Sequence, residues 1–111
     1  MIYTVNISNQ AETDLRDIYE YIAYELQVPE NANRQLDRLE KCILSLSQQP
    51  ERFRAYDTEP WKSRGLRIVP VNNYCVFYMP NKETGIVTVI RVMYGGRDME
   101  TQLTRYTDEN L

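Results

Sequence analysis

The sequence contains no histidine and only two cysteines. Histidine is the commonest general base and zinc ligand in proteins, so its absence removes both roles. Cys42 lies in a helical pattern and Cys75 in a strand pattern, each among apolar neighbours. We interpret both thiols as small buried hydrophobic side chains, and we expect no disulfide, metal site or cofactor.

Long apolar runs are also missing. No stretch approaches the roughly 20 residues that a membrane-spanning helix needs, and no signal-peptide pattern opens the chain. The 111 residues suffice for one domain and are short for two. We expect a single domain over residues 1–111, in the cytoplasm and without a membrane partner.

The net charge of −3 argues against nucleic-acid binding through bulk charge, but the charge is unevenly distributed. Residues 1–61 carry six basic and eleven acidic side chains, whereas residues 62–97 carry six basic and one acidic. Residues 98–111 carry one basic and four acidic side chains. The basic middle segment indicates an anionic partner for that part of the molecule.

The first part of the chain predicts a strand followed by a long helix. β-Branched and aromatic residues favour a strand at about 2–8. Ser8 or Asn9 then caps a helix, and Asn9 with Glu12 has the spacing of a capping box. Apolar side chains at helical spacing extend that helix to about 10–27.

A second helix is predicted at about 30–48. Pro29 suits the first turn of a helix, and Pro50 marks its end. A short connection between two long helices makes them an antiparallel hairpin. The apolar positions that define this helix are Ala32, Leu36, Leu39, Ile43 and Leu46.

The hydrophobic period changes after a loop at 50–62. Three strands are predicted at about 64–71, 74–79 and 86–94, joined by turn-forming residues in an antiparallel meander. Pro70 indicates a sheet edge or a strand end, since proline donates no ladder hydrogen bond. The predicted fold class is α+β, in the order β-αα-βββ, with the helix hairpin packed on a small, mostly antiparallel sheet.

The segment "RVMYGGRD" places Arg91, Tyr94 and Arg97 around a glycine pair at the end of the last strand. We expect Gly95-Gly96 to form a turn with positive φ, followed by one short helical turn. Phosphate cradling by the glycines is disfavoured, because no helix start of the P-loop kind follows them.

Four stretches in this order resemble the RelE/ParE superfamily of bacterial toxins from type II toxin–antitoxin systems. The resemblance covers about residues 2–103. It implies a growth-inhibiting toxin that an antitoxin holds inactive by wrapping it with an extended or helical segment. The stretches are "ISNQAETDLRDIYEYI", "LSQQPERF", "RGLRIVPVNNYCVFYMP" and "VIRVMYGGRD".

The two branches of the superfamily imply different chemistry. RelE-like members are ribosome-dependent mRNA endonucleases that use basic residues on the sheet and often a Tyr or His near the C-terminus. ParE-like members poison DNA gyrase. The long helices, the "GGRD" ending and the lack of histidine and of lysine-rich strands make this chain more similar to the ParE branch. A degenerate member that only binds its antitoxin is a third alternative.

The candidate site residues differ between these alternatives. A nuclease would use Arg64, Arg67, Arg91 and Tyr94, because the planar guanidinium matches phosphate. Arginine is a poor proton shuttle, and a tyrosine with a pKa near about 10 would need a strong shift to move protons. For target or antitoxin binding, we select the same four residues together with Arg97 and Trp61.

The aromatic residues outside this set divide by segment. Trp61 and Tyr56 lie in the loop, where an exposed interface role and simple packing on the sheet are both open. Tyr3, Tyr19 and Tyr78 are interpreted as residues of the core or its edge. Arg64 and Arg67 are three apart on the predicted second strand, which would send them to opposite faces.

Overall fold

A computed structural model describes residues 2–96 and 98–107. It forms one four-stranded sheet in the order β1-β4-β3-β2, in which β1 is parallel to β4 and the other pairs are antiparallel. The α+β prediction, with a helix hairpin on a mostly antiparallel sheet, is confirmed. The elements are β1 Thr4–Ile7, α1 Asn9–Glu20, a π-helical segment Tyr21–Glu25, α2 Pro29–Ser45, a 3-10 turn Pro50–Arg52, β2 Arg67–Val71, β3 Tyr74–Asn81, β4 Ile86–Tyr94 and α3 Met99–Tyr106.

Ser8 caps α1 and also ties it to the sheet. Its hydroxyl accepts a hydrogen bond from the Ala11 N–H (3.1 Å) and donates one to the Ile90 carbonyl (2.9 Å). The predicted capping box of Asn9 and Glu12 is wrong, because Asn9 is already the first helical residue. The cap therefore fixes the direction in which α1 leaves β1 and crosses β4.

The first helix changes its winding before its predicted end at residue 27. From Tyr21 to Glu25 the turn widens to a π-helix, closed by the Leu26 N–H donating to the Tyr21 carbonyl (3.0 Å). Gln27 then takes a left-handed φ of 57° and breaks the helix. π-Helical turns are frequent at functional sites. Here the turn leaves Tyr21 and Leu26 exposed while Ile22 is buried.

Helix α2 begins at Pro29, as the sequence indicates, and ends three residues earlier than predicted. Arg52 follows the helix end and donates to the backbone carbonyls of Ser45, Gln48 and Gln49. The Ser45 carbonyl is the last of the helix and the other two lie in the turn after it, so the guanidinium closes the C-terminal end of α2. The predicted apolar positions of α2 are all buried or half-buried.

A β-bulge in the centre of the sheet shifts the register between β3 and β4. Phe77 pairs with Arg91 and Tyr78 pairs with Val89, so Ile90 is an extra residue. Strict alternation would separate Val89 and Val92, which are three residues apart, onto opposite faces. With the bulge, both lie in the core cluster beneath the helix hairpin.

The opposite face of the sheet carries a second core, covered by the loop before β2 and by α3. Trp61 belongs to this core and is 2% exposed, so the expectation that it could lie exposed is wrong. Tyr56 packs edge-to-face on Phe77, with ring centroids 5.8 Å apart. The loop therefore packs on the sheet, and α3 adds two turns where one was predicted, burying Leu103.

Strand β2 is the sheet edge, which confirms the meaning of Pro70. The strand begins at Arg67, three residues after its predicted start at residue 64. Part of its outer side is already occupied, since the Ile68 N–H donates to Arg54 and the Leu66 carbonyl accepts from Tyr56. Further along the same edge, Pro70 has no N–H to donate to an added strand. This edge is thus poorly suited to receive an added strand.

Tyr78 gives a pH-dependent stability that can be measured. Burial raises its pKa to about 12, and its hydroxyl donates to the Pro50 carbonyl (2.5 Å). Between roughly pH 10 and 12 the unfolded chain loses the phenolic proton while the folded chain keeps it, so stability falls as pH rises. Tyr78→Phe should lower the free energy of unfolding by about 1–2 kcal/mol at pH 7. In urea unfolding, the stability of this variant should fall less than that of wild type as the pH rises above about 10. Exposed Tyr21→Phe is the control, and parallel pH curves for Tyr78→Phe and wild type would contradict the assignment.

Candidate functional site

Arg67 lies at the start of β2, and its guanidinium is hydrogen-bonded to the backbone of the preceding loop. Its Nη1 donates to the carbonyls of Glu51 (3.1 Å) and Phe53 (2.6 Å). A guanidinium bound to two carbonyls holds the 3-10 turn against the strand. Arg64 is not on a strand. It lies in the turn before β2, with its guanidinium 5.1 Å from the ring centre of Trp61.

Arg91 is buried within β4 and joins three elements. Its Nε and Nη2 bind the two carboxylate oxygens of Asp14 on α1 at 2.7 and 2.9 Å. Its Nη1 donates to the Tyr106 carbonyl (3.1 Å) and the Thr107 hydroxyl (3.2 Å) at the end of α3. Asp14 also accepts from the Val92 N–H (2.9 Å). The bidentate ion pair fixes α1, β4 and α3 relative to one another.

Tyr94 ends β4 with an exposed side chain that packs edge-to-face on Tyr74, the ring centroids being 5.7 Å apart. The glycines after it do not have the predicted positive φ. They are small for a different reason. A Cβ on Gly95 would lie 3.2 Å from the Asn73 carbonyl oxygen, and one on Gly96 would lie 2.8 Å from the Tyr94 ring. Close approach of the Asn73 backbone explains Gly95, whereas a Cβ at Gly96 would require the exposed Tyr94 ring to shift.

The structure does not bring the predicted nuclease residues together. Arg67 pairs with Tyr78, whereas Tyr94 pairs with Tyr74 at the other end of β3. Four residues along a strand separate these positions by roughly 13 Å. Arg64 is in the loop and Arg91 is buried in its ion pair, while Arg97 lies outside the described residues.

A groove of about 1030 Å³ lies between the helix hairpin and the ends of β3 and β4. Tyr21 and Leu26 form one apolar side, and Tyr74 and Tyr94 form the other. Of the predicted site residues that the structure describes, only Tyr94 lines it. Sequence reasoning missed the rest, although one signal was available. Arg34 and Arg38 are four apart on α2, which places two cations on one helix face within the otherwise acidic first part.

The floor of the groove contains a buried glutamine. Gln35 is 7% exposed, and its Oε1 accepts hydrogen bonds from Arg38 Nη2 (3.2 Å) and Asn72 Nδ2 (3.4 Å). Its Nε2 is buried without a hydrogen-bond partner among the described residues. Buried amide donors are rarely left unsatisfied, so this atom requires an explanation.

The part of the chain that the structure describes, residues 2–96 and 98–107, has neither a metal-binding cluster nor a membrane-spanning helix. That part of the chain holds no group of three or more His, Cys, Asp or Glu side chains able to bind a metal ion. None of its helices has the length and apolar character that a membrane span requires. Cys42 and Cys75 are free and half-buried, and burial raises the pKa of both thiols.

The fold and the groove define a class of small domains built from a helix hairpin on a four-stranded sheet. The model of the family described as the ParE toxin of the type II toxin–antitoxin system parDE matches residues 5–99. The chain belongs to this family. The resemblance to the RelE/ParE superfamily, nearer to its ParE branch, is thereby confirmed. Among curated protein sequences, none matches the chain significantly.

Solved structures share the fold at low sequence identity. A chain of the chromosomal ParDE system from P. aeruginosa has a TM-score of 0.68 and 17% identity, covering 84% of this chain and 96% of that one. The RelBE2 toxin–antitoxin complex from Mycobacterium tuberculosis gives 0.63 and 22%, covering 85% and 99%. A mutant of E. coli RelE in the free state gives 0.63 and 16%, covering 89% and 90%.

Proposed function

We propose that this toxin inhibits growth by binding and poisoning DNA gyrase, and that a cognate antitoxin neutralises it in the cytoplasm. The choice of target rests on one observation: the guanidinium groups of the basic strand residues are already bound within the protein. Arg67 is bound to two backbone carbonyls and Arg91 to Asp14. These cations hold the fold together, and the chain keeps an open groove for a macromolecular partner.

The alternative, a ribosome-dependent mRNA endonuclease, has less support in this geometry. Cleavage of a phosphodiester needs cations at the developing charge together with a proton donor and acceptor in reach of the same atoms. Tyr94 is exposed and stands roughly 13 Å along the sheet from the strand position of Arg67. Among the described residues, the predicted cations and the tyrosine therefore do not converge on one position where a phosphate could react.

The antitoxin partner is supported by the relatives. The ParE family belongs to a two-component toxin–antitoxin system, parDE, and the M. tuberculosis structure is a toxin–antitoxin complex. The groove provides a receptor of suitable kind, since amphipathic segments bind apolar grooves beside helices. A single domain over residues 1–111 remains our proposal for the organisation of this chain.

One experiment separates the two targets. Wild type and Tyr94→Phe are expressed in cells, with primer extension on mRNA and a plasmid supercoiling assay on each culture. We expect a supercoiling defect, no codon-phased cuts and full inhibition by Tyr94→Phe, because the ring is kept and no proton is moved. A nuclease that used Tyr94 would lose about 10²–10⁴ in rate.

Tyr106→Phe, another exposed tyrosine near the end of the described chain, is the control. Codon-phased mRNA cleavage that disappears in Tyr94→Phe and persists in Tyr106→Phe would overturn the proposal and identify a nuclease. Growth that is unaffected by wild type, with neither cuts nor a supercoiling defect, would identify the member that only binds its antitoxin.

A further inference from the structure

We propose that the groove recognises an acidic side chain of the partner polypeptide, whose carboxylate binds Gln35 Nε2 and the guanidinium of Arg38. The inference rests on the proposed function in that the partner is the neutralising polypeptide. It adds the chemistry by which that polypeptide is selected, namely one carboxylate flanked by apolar residues. The unpartnered Gln35 donor in the floor of the groove is the observation that carries it.

The orientation of the Gln35 amide is fixed by its neighbours. Arg38 and Asn72 both face one end of the amide, and because a guanidinium can only donate, that end is the oxygen. Exchanging the two ends would set the NH₂ group against the Arg38 guanidinium, which has no acceptor. Nε2 therefore points away from both, and an incoming acceptor would remove the cost of an unsatisfied buried donor.

Charge selects a carboxylate as that acceptor. Arg34 and Arg38 stand on the α2 side of the groove. Arg34 makes local contacts along its own helix, a hydrogen bond to Asn31 Oδ1 (3.0 Å) and a long, exposed contact with Glu30 (3.9 Å). Arg38 is itself exposed, and it can bind an entering carboxylate through its other N–H groups while it keeps its hydrogen bond to Gln35 Oε1. A neutral carbonyl would satisfy Nε2 but would bring no anion to the guanidinium of Arg38.

The remaining walls favour a peptide over a nucleic acid. Tyr21, Leu26 and Tyr94 are each about half exposed around the groove and offer apolar contact area. Asp17 lines the α1 side, opposite the arginines, and would repel a phosphodiester chain. An acidic wall, a basic wall and apolar ends fit an amphipathic segment that carries its carboxylate on the side facing α2.

The test uses the full chain and the polypeptide encoded by the adjacent reading frame, co-expressed and purified. Gln35→Met keeps the length of the side chain and removes both the donor and its burial cost. We expect unchanged or higher thermal stability of the free toxin and about 10–100-fold weaker partner binding by calorimetry. Gln35→Glu, which opposes the entering carboxylate, should weaken binding at least as much, and exposed Gln48→Met should change nothing.

Coupling identifies the partner's acidic residue. Each Asp and Glu of the partner is changed to Asn or Gln, and one of these changes should be non-additive with Gln35→Met. Binding within about threefold of wild type for Gln35→Met, or additivity at every acidic position, would overturn this inference and leave the proposed antitoxin partnership intact. If the wild-type toxin captures no neighbouring polypeptide, the antitoxin proposal itself fails. RNA binding at about 0.15 M salt that Arg38→Gln abolishes, or a dimer of the toxin that Gln35→Glu dissociates, would assign the groove to another occupant.

Discussion

Replacing Arg91 with alanine is expected to lower the free energy of unfolding by about 3–5 kcal/mol, because it leaves the Asp14 carboxylate buried without its cation. The same change removes the donor to the Tyr106 carbonyl and the Thr107 hydroxyl at the end of α3. Asp14→Ala should cost a similar amount, since it leaves the guanidinium uncompensated and the Val92 N–H without its acceptor. Urea unfolding followed by circular dichroism measures both.

The double variant should be much less destabilised than the sum of the two single variants, because residues in one ion pair are strongly coupled. Arg16→Ala is the matched control, since Arg16 is exposed on the same helix as Asp14 and should change stability by less than about 0.5 kcal/mol. An unfolding midpoint for Arg91→Ala equal to that of wild type would refute the anchoring role.

This result bears directly on how Arg91 should be tested as a target-binding residue. A variant that loses toxicity because it no longer folds carries no information about the target. Arg91 is 7% exposed, so any role in binding would have to act through the position of α1 and α3. Measurements of growth inhibition with Arg91 variants therefore need a stability measurement on the same protein.

Leu39→Ala should be the second severe change, with a loss of about 2–5 kcal/mol. Leu39 is fully buried in the core between the helix hairpin and the sheet, and truncation there removes apolar contacts and leaves a cavity. Leu44 is on the same helix and is 68% exposed, so Leu44→Ala offers a control with identical chemistry. We expect the Leu44 variant to stay within about 0.5 kcal/mol of wild type.

Equal losses for the two leucine variants would show that α2 packs with a different face toward the sheet. Such a result would also displace Gln35 from the groove, because Gln35 lies four positions before Leu39 and therefore on the same side of the helix. Chemical denaturation and thermal melts of both variants decide the point. The comparison thus checks the helix orientation on which the groove depends.

Several features could be predicted because their causes are local in the sequence. The apolar period of α2 located its buried face, and the turn residues around β4 gave its bounds of residues 86–94. Pro70 marked an edge strand because the missing N–H excludes a central ladder position. Among the residues that line the groove, Tyr94 was predicted from the sequence, because the glycine pair marks the strand end at which it lies.

Other features depend on contacts between distant parts of the chain. Asp14 lies 77 positions from Arg91, and no local pattern indicates that one would neutralise the other. Trp61 has the polar, proline-rich neighbours of a surface loop, and it is buried because that loop closes a second core over the sheet. The sequence gives no sign that Arg67 is unavailable to a ligand, because the carbonyls that bind it belong to Glu51 and Phe53, more than ten residues earlier.

The sequence by itself determined the order of elements, the buried face of α2 and the family, since these follow from periodicity, turn chemistry and motifs within short windows. Only the tertiary structure decided which charged groups remain available and where a partner fits. The bulge at Ile90 and the π-helical turn at Tyr21 rotate side chains away from the positions that regular periods predict. The availability of a donor such as Gln35 Nε2 depends on every neighbour packed around it, and those neighbours come from separate segments of the chain.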